Sequence, residues 1–205
     1  MINSLFGIPI YSDKIILNEK EIFYFLNLEY KKLNQEYGYK TKNNYVLDND
    51  SIKNVKNQVL NHLNIFLFDY LKIKKNVNFK MLNSWCTRYE TKANANGHLH
   101  SNSLFSGVFY IKVNKFSGQV RFHKNNFWRN LLPKCVNVEF DESNEFNGEY
   151  WQTLPEVGDL LLFPSFLEHS TLPNESNEER FCCAFNFYLE GQIGGDMNTL
   201  KIKLE

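Results

Sequence analysis

The pair His98-Leu99-His100, followed by His169 and then by Arg180, is the part of this chain best suited to chemistry. In an extended strand, residues i and i+2 point to the same side, so His98 and His100 are spaced to chelate one ion from a single strand. His169, from a distant strand, would close a three-ligand face. An ion held on one face keeps open positions opposite, which catalysis needs and closed structural sites lack. Arg180 lies eleven residues after His169 and offers a planar fork of N–H donors for a carboxylate beside such a metal.

These residues need a β-framework, and the chain supplies one. After residue 76 short apolar runs recur at NFKMLNSWCTRY, SLFSGVFYIKV, GQVRFH, CVNVEF, EYWQTL, DLLLFPSF and RFCCAFNFYLE. Turn residues separate them, and seven or more short strands at near-regular spacing imply an antiparallel sandwich or barrel. Before them, residues 5–17 read as an edge strand containing Pro9. Residues 19–36 have helical spacing through Ile22, Phe23, Leu26, Tyr30 and Leu33, and residues 37–50 read as a polar loop. A second helix capped by Ser51 carries Val55, Val59, Leu60, Leu63, Phe66, Leu67 and Tyr70. The two helices are expected to pack on one sheet of the β-unit. At 205 residues one domain is the expectation, with 1–75 as strand and supporting helices, 76–190 as the β-core and 191–205 as a tail.

Composition narrows the function. Hydrophobic residues make up 43% and charged residues 22%, the balance of an ordinary soluble globular chain, and aromatics at 16% favour β-structure. The net charge is zero, and the cluster Lys72, Lys74, Lys75 is a solvated helix end rather than a basic face, so no nucleic-acid partner is expected. No apolar run approaches the roughly 20 residues that span a bilayer. The opening MINSLFGIPIYSDK lacks a charged region and cleavage site of a signal peptide. Cys86, Cys135, Cys182 and Cys183 have no CxxC spacing and read as reduced thiols, giving a cytoplasmic expectation. The edge at residues 5–11 is where a homodimer could form.

Alternation through RFCCAFNFYLE puts Arg180, Cys182, Ala184, Asn186 and Tyr188 on one face and Phe181, Cys183, Phe185, Phe187 and Leu189 on the other. The second set is core packing, while the first carries a charge, a thiol and an amide and must face something polar. Tyr110 shares the parity of Ser106 and Val108, where a phenol could hydrogen-bond a bound acid. His62 reads as a helix-face residue, His123 as a strand-edge residue, and Asn83 and Trp85 as weaker candidates.

The order HLHSNSLFSGVFYI, SGQVRF, VGDLLLFPSFLEHSTLP, RFCCAFN resembles the iron(II)/2-oxoglutarate-dependent oxygenases. More narrowly, it is similar to their subgroup with an HxH…H motif found in bacterial and phage genomes, as are LFGIPIY and the NSW of residues 83–85. The resemblance implies a double-stranded β-helix, a mainly β, cupin-like jelly roll with helices on one sheet. It implies Fe(II) held by His98, His100 and His169, with His100 standing where the wider family has aspartate. It also implies 2-oxoglutarate as cosubstrate, its distal carboxylate on Arg180, with Tyr110, Ser106, Cys182 and Tyr89 as further contacts. Cys182 stands where relatives often have a hydroxyl. The implied reaction is oxidative decarboxylation of the keto acid to succinate and carbon dioxide with hydroxylation of a small-molecule or peptide substrate. Loops around 91–97 and 124–150, the latter with Phe127, Trp128, Arg129 and Trp151, would meet that substrate. Two other readings remain at this point: a three-histidine dioxygenase that needs no keto acid, and a non-catalytic metal-binding jelly roll.

Overall fold

In the computed structural model, residues 7–33, 38–124, 139–144, 146–194 and 198–204 are described. Two antiparallel sheets face each other. The larger runs β1 (Tyr11–Lys14), β9 (Asp159–Pro164), β6 (Phe105–Lys112), β11 (Arg180–Ile193), β4 (Val77–Tyr89), β3 (Tyr39–Thr41) and β2 (Tyr30–Lys32), with β12 (Leu200–Ile202) also paired to β11. The smaller runs β5 (Ala95–His98), β10 (His169–Thr171), β7 (Val120–His123) and β8 (Tyr150–Thr153). This is the expected jelly roll.

The alternation read from β11 holds. Phe181, Cys183, Phe185 and Phe187 enter one buried cluster, together with Phe25 of α1 (Glu19–Leu26) and Val55, Val59 and Leu63 of α2 (Lys53–Asn64). Cys182 enters the other, between the sheets, with Tyr89, Tyr110, Phe122, Leu161 and Phe163. The helices therefore cover the outer face of the large sheet, and the second cluster lines the inside of the roll. Burying each core phenylalanine contributes about 1.5–3 kcal/mol.

The N-terminal segment departs from its periodicity. The expected helix over 19–36 ends at Leu26, because Asn27 caps it: its side-chain Nδ2 donates to the Phe23 carbonyl at 2.8 Å. Tyr30 then leaves helical spacing to pair with Thr41, its ring edge-on to Phe181 and its hydroxyl donating to the Phe25 carbonyl at 2.8 Å. Residues 37–50 are accordingly not all loop, since β3 bonds to β4. Ser51 does not cap α2 either. The Asn49 side chain accepts the Ser51 N–H in a 3-10 turn, and α2 starts at Lys53. A π-turn over Ile65–Tyr70 extends α2 and buries Phe66 and Leu67. The first strand is shorter than expected, at Tyr11–Lys14, and is the sheet edge. The tail is partly strand: β11 runs to Ile193 and β12 returns along it. Of the run CVNVEF only Glu139 and Phe140 are described, and neither is in a strand.

Gly107 shows how tightly the large sheet meets its core. It lies between Phe185 on β11 and Leu162 on β9, and a Cβ there would come within 2.4 Å of the Phe185 ring and 2.6 Å of Leu162 Cδ2. Overpacking of this kind destabilises by about 1–3 kcal/mol. Gly107→Ala should therefore lower the melting temperature in a calorimetric scan by about 2–12 °C; an unchanged transition would show that the core yields freely here.

Candidate metal centre

Antiparallel pairing of β5 with β10 sets His98 directly opposite His169. The third histidine arrives differently from the expectation. β5 ends at His98, so His100 is not a residue of the same strand; its backbone N–H donates to the Ser165 carbonyl at 3.0 Å, which swings the chain back over the end of β9. The three rings still converge. Their centroids lie 4.4 Å (His98–His169), 5.0 Å (His100–His169) and 5.4 Å (His98–His100) apart, and one ligand atom from each falls within 4.8 Å of the others. His169 is buried, His100 half-buried and His98 exposed, so one side of the cluster is open.

Each ring is also oriented. Nδ1 of His98 meets the Asn96 carbonyl at 2.8 Å, and Nδ1 of His169 meets the Leu167 carbonyl at 3.0 Å. A carbonyl oxygen can only accept, so each Nδ1 is the protonated nitrogen and each Nε2 carries the lone pair. Nδ1 of His100 meets Asn186 Oδ1 at 2.5 Å. The same Oδ1 accepts from Ser106 Oγ at 2.7 Å, while Asn186 Nδ2 donates to Asn83 Oδ1 at 2.9 Å, which fixes the amide's direction. Ser106 Oγ also meets Ser165 Oγ at 2.8 Å. All three imidazoles thus present Nε2, the arrangement a divalent cation needs. Burial, and then the neighbouring His98, push the His169 pKa down to about 3, and burial also holds His100 below the usual histidine value. Both stay neutral, as ligands must.

Arg180 starts β11 on the inner face and is 0% exposed. Its Nη1 donates to the Ser117 carbonyl at 2.7 Å and the Gly118 carbonyl at 3.2 Å, but Nε and Nη2 have no partner. Among the described residues no carboxylate pairs with it. A buried donor left unmet costs about 1–3 kcal/mol, so this guanidinium is incomplete without an anion. Tyr89 lies opposite Arg180 in the register, its ring centroid 4.3 Å from Arg180 Cζ. Tyr110 lies opposite Cys182. Burial raises the Tyr89, Tyr110 and Cys182 pKa values, leaving neutral groups beside the cation. The hydroxyl missing at Cys182 is present next door, since Thr87 Oγ1 lies 3.0 Å from Cys182 Sγ. A carboxylate-bearing keto acid fits this donor set, and a divalent iron fits the three imidazoles.

Of the residues singled out in the sequence, Tyr89, Tyr110, Cys182 and Arg180 gather at one end of the inner face. Ser106 lies with His100 through Asn186. His62 and His123 stand outside the centre, bonded to Tyr11 and Ser170 respectively. Phe127, Trp128 and Arg129 lie outside the described residues, while Trp151 is on β8, its ring 5.9 Å from Phe122. Sequence reading gave no role to Asn186, Ser165 or Thr87. Ser165 shares the parity of Leu161 and Phe163, and that signal was present in DLLLFPS. A cavity of about 770 Å³ opens elsewhere, on the helix side, between Ile8, Ile73, Phe105 and Leu189; none of the described residues that line it is a histidine, cysteine or carboxylate.

No curated protein matches the sequence. Solved structures match in fold: an oxidoreductase of the 2OG-Fe(II) oxygenase family from Burkholderia pseudomallei (TM-score 0.59, 10% identity, 87% of this chain and 83% of that one) is one. The epimerase SnoN in complex with Fe3+, alpha ketoglutarate and nogalamycin RO is another (TM-score 0.60, 12% identity, 90% and 81%). HygX from Streptomyces hygroscopicus, with nickel and 2-oxoglutarate bound, is a third (TM-score 0.54, 12% identity, 88% and 82%). A family model described as "Putative 2OG-Fe(II) oxygenase" matches residues 83–186, a span that begins at Asn83, ends at Asn186 and takes in all three histidines and Arg180. With half of its residues under that match, this chain belongs to the 2OG-Fe(II) oxygenases, enzymes whose cofactors are Fe(II) and 2-oxoglutarate.

Proposed function

We propose that His98, His100 and His169 hold the iron through Nε2, that Arg180 anchors the distal carboxylate of 2-oxoglutarate, and that the enzyme hydroxylates a small molecule or peptide. One observation carries this reading: the fully buried Arg180 has two unpartnered N–H donors inside a roll whose mouth holds three oriented imidazoles. When bound, Fe(II) and the keto acid supply the oxidising chemistry, in which dioxygen is consumed, the keto acid becomes succinate and carbon dioxide, and a substrate C–H bond is hydroxylated.

The residues of the chain orient and exclude. His98 is aimed by a backbone carbonyl of its own strand, His169 by the Leu167 carbonyl just before β10, and His100 by Asn186. Arg180 gives the carboxylate a charge-assisted bond through Nε and Nη2, with Nη1 kept in place by the Ser117 and Gly118 carbonyls. Tyr110 and the Thr87–Cys182 pair are neutral donors beside it, and Tyr89 closes the cation's other face. Ser106 belongs to the Asn186 network that positions His100. Phe163 and Phe122 pack against His169 at 4.8 Å and 5.7 Å between ring centroids and keep water from its buried side.

We read residues 1–205 as one oxygenase domain, since β1, β2 and β3 join the same sheet as β4 and β11. Cys86 and Cys183 face each other across β4 and β11 as free thiols, which fits a reducing compartment such as the cytoplasm. No helix among the described residues is long and apolar enough to cross a membrane.

His98→Ala and His169→Ala should each abolish Fe(II) retention in anaerobic equilibrium dialysis while the far-ultraviolet circular dichroism stays native; retention by both variants would remove the ligand assignment. Arg180→Met should keep Fe(II) and lose 2-oxoglutarate affinity by roughly a hundredfold in calorimetry. Unchanged keto-acid affinity in that variant would place the carboxylate elsewhere. Asn186→Ala should weaken Fe(II) by about 10–100-fold without abolishing it, and an unaltered iron affinity would mean His100 does not depend on that amide.

A further inference from the structure

Beside the centre, on the same inner face, stands a cation with no acid. Lys40 of β3 pairs in register with Thr87 of β4, whose hydroxyl meets Cys182 inside the roll, so Lys40 also points inward. Its Nζ lies 4.5 Å from the Trp85 ring centroid, and the Trp85 ring lies 5.7 Å from that of His100. One indole therefore separates this ammonium from a proposed iron ligand. The opposite residue on β2 is Lys31, so two like charges face each other across the strand pair. Such pairs are destabilising. Among the described residues neither lysine forms an ion pair, although Lys42 nearby takes Glu29.

We propose that Lys40, backed by the face of Trp85, is an oxyanion subsite, and that the substrate carries a carboxylate or phosphate which this lysine holds beside the metal centre. The inference rests on the ligand assignment above and names the substrate's class. An oxyanion at Lys40 offsets the repulsion from Lys31 and supplies a counter-charge where, among the described residues, neither lysine has one. Burial, and then Lys31, pull the Lys40 pKa below the ordinary lysine value, the direction expected of an ammonium placed where an anion belongs. Trp85 adds a flat apolar wall, so an acid on an unsaturated or aromatic carbon suits the subsite best. If Lys40 merely lays its stem on Trp85, charge on a ligand will make no difference.

The test uses the enzyme with Mn(II) in place of iron and saturating 2-oxoglutarate, which fills the Arg180 site. Benzoate, phenyl phosphate and the neutral benzamide are each added, and paramagnetic relaxation of their ring protons is followed by NMR. The expected result is saturable relaxation of benzoate or phenyl phosphate, whichever class of oxyanion the subsite takes, and none of benzamide. Lys40→Gln should weaken the effect about tenfold while leaving Mn(II) and 2-oxoglutarate affinities within twofold. Equal relaxation by benzamide, no relaxation by either acid, or an unaffected Lys40→Gln variant overturns the oxyanion subsite alone. Failure of the wild-type protein to bind Mn(II), seen directly in water-proton relaxation, overturns the ligand assignment and this inference with it.

Discussion

The centre depends on the antiparallel register between β5 and β10. It sets His98 against His169, and a slip of one residue would turn one imidazole to the opposite face of the small sheet. Pairing of β10 with β7 on its other side holds that register, with Phe122 opposite His169. Two of the three imidazoles are therefore set opposite each other by sheet pairing, with carbonyls two residues upstream, Asn96 in β5 and Leu167 in the turn before β10, fixing their tautomers. The third, His100, is held by a side chain 86 residues away in sequence, and so depends on the large sheet as well. Metal binding thus reports whether both sheets of the roll are correctly assembled.

The electrostatics follow from the ligand types. Three neutral imidazoles leave the full charge of a divalent ion uncompensated, whereas the family's usual aspartate would cancel part of it. An anionic cosubstrate is correspondingly favoured. Arg180 adds a second positive charge at the far end of the same interior, beside Tyr89, Tyr110 and Cys182, whose burial keeps them neutral. A dianion with its two carboxylates apart, such as 2-oxoglutarate, answers both charges at once.

The sequence made much of this visible, and the reason is periodicity. Strict alternation in β11 separated Arg180, Cys182 and Asn186 from the phenylalanines, because a strand between two packed layers must alternate. The HxH spacing and His169 pointed to the three histidines that converge, even though His100 reaches its place from beyond the strand. What stayed hidden was set by register or by competition. Nothing local connects Thr87 to Cys182 or Asn186 to His100, since those contacts exist only once strands far apart in sequence align. Residues 19–36 had a helical pattern, yet Asn27 caps the helix, and Tyr30 gains more by packing edge-on to Phe181 in the sheet. Ser51 was lost as a cap because it sits inside a 3-10 turn capped by Asn49, and α2 starts after that turn with no side-chain cap of its own.

The claim that iron and 2-oxoglutarate meet at this one centre is tested most directly by anaerobic titration. Apo-protein receives one equivalent of Fe(II), then increasing 2-oxoglutarate, while the visible spectrum is recorded. The account predicts a saturable metal-to-ligand charge-transfer band that forms only when both are present. Tight Fe(II) binding with no band at saturating keto acid would contradict it, and would point instead to a three-histidine dioxygenase that works without the cosubstrate.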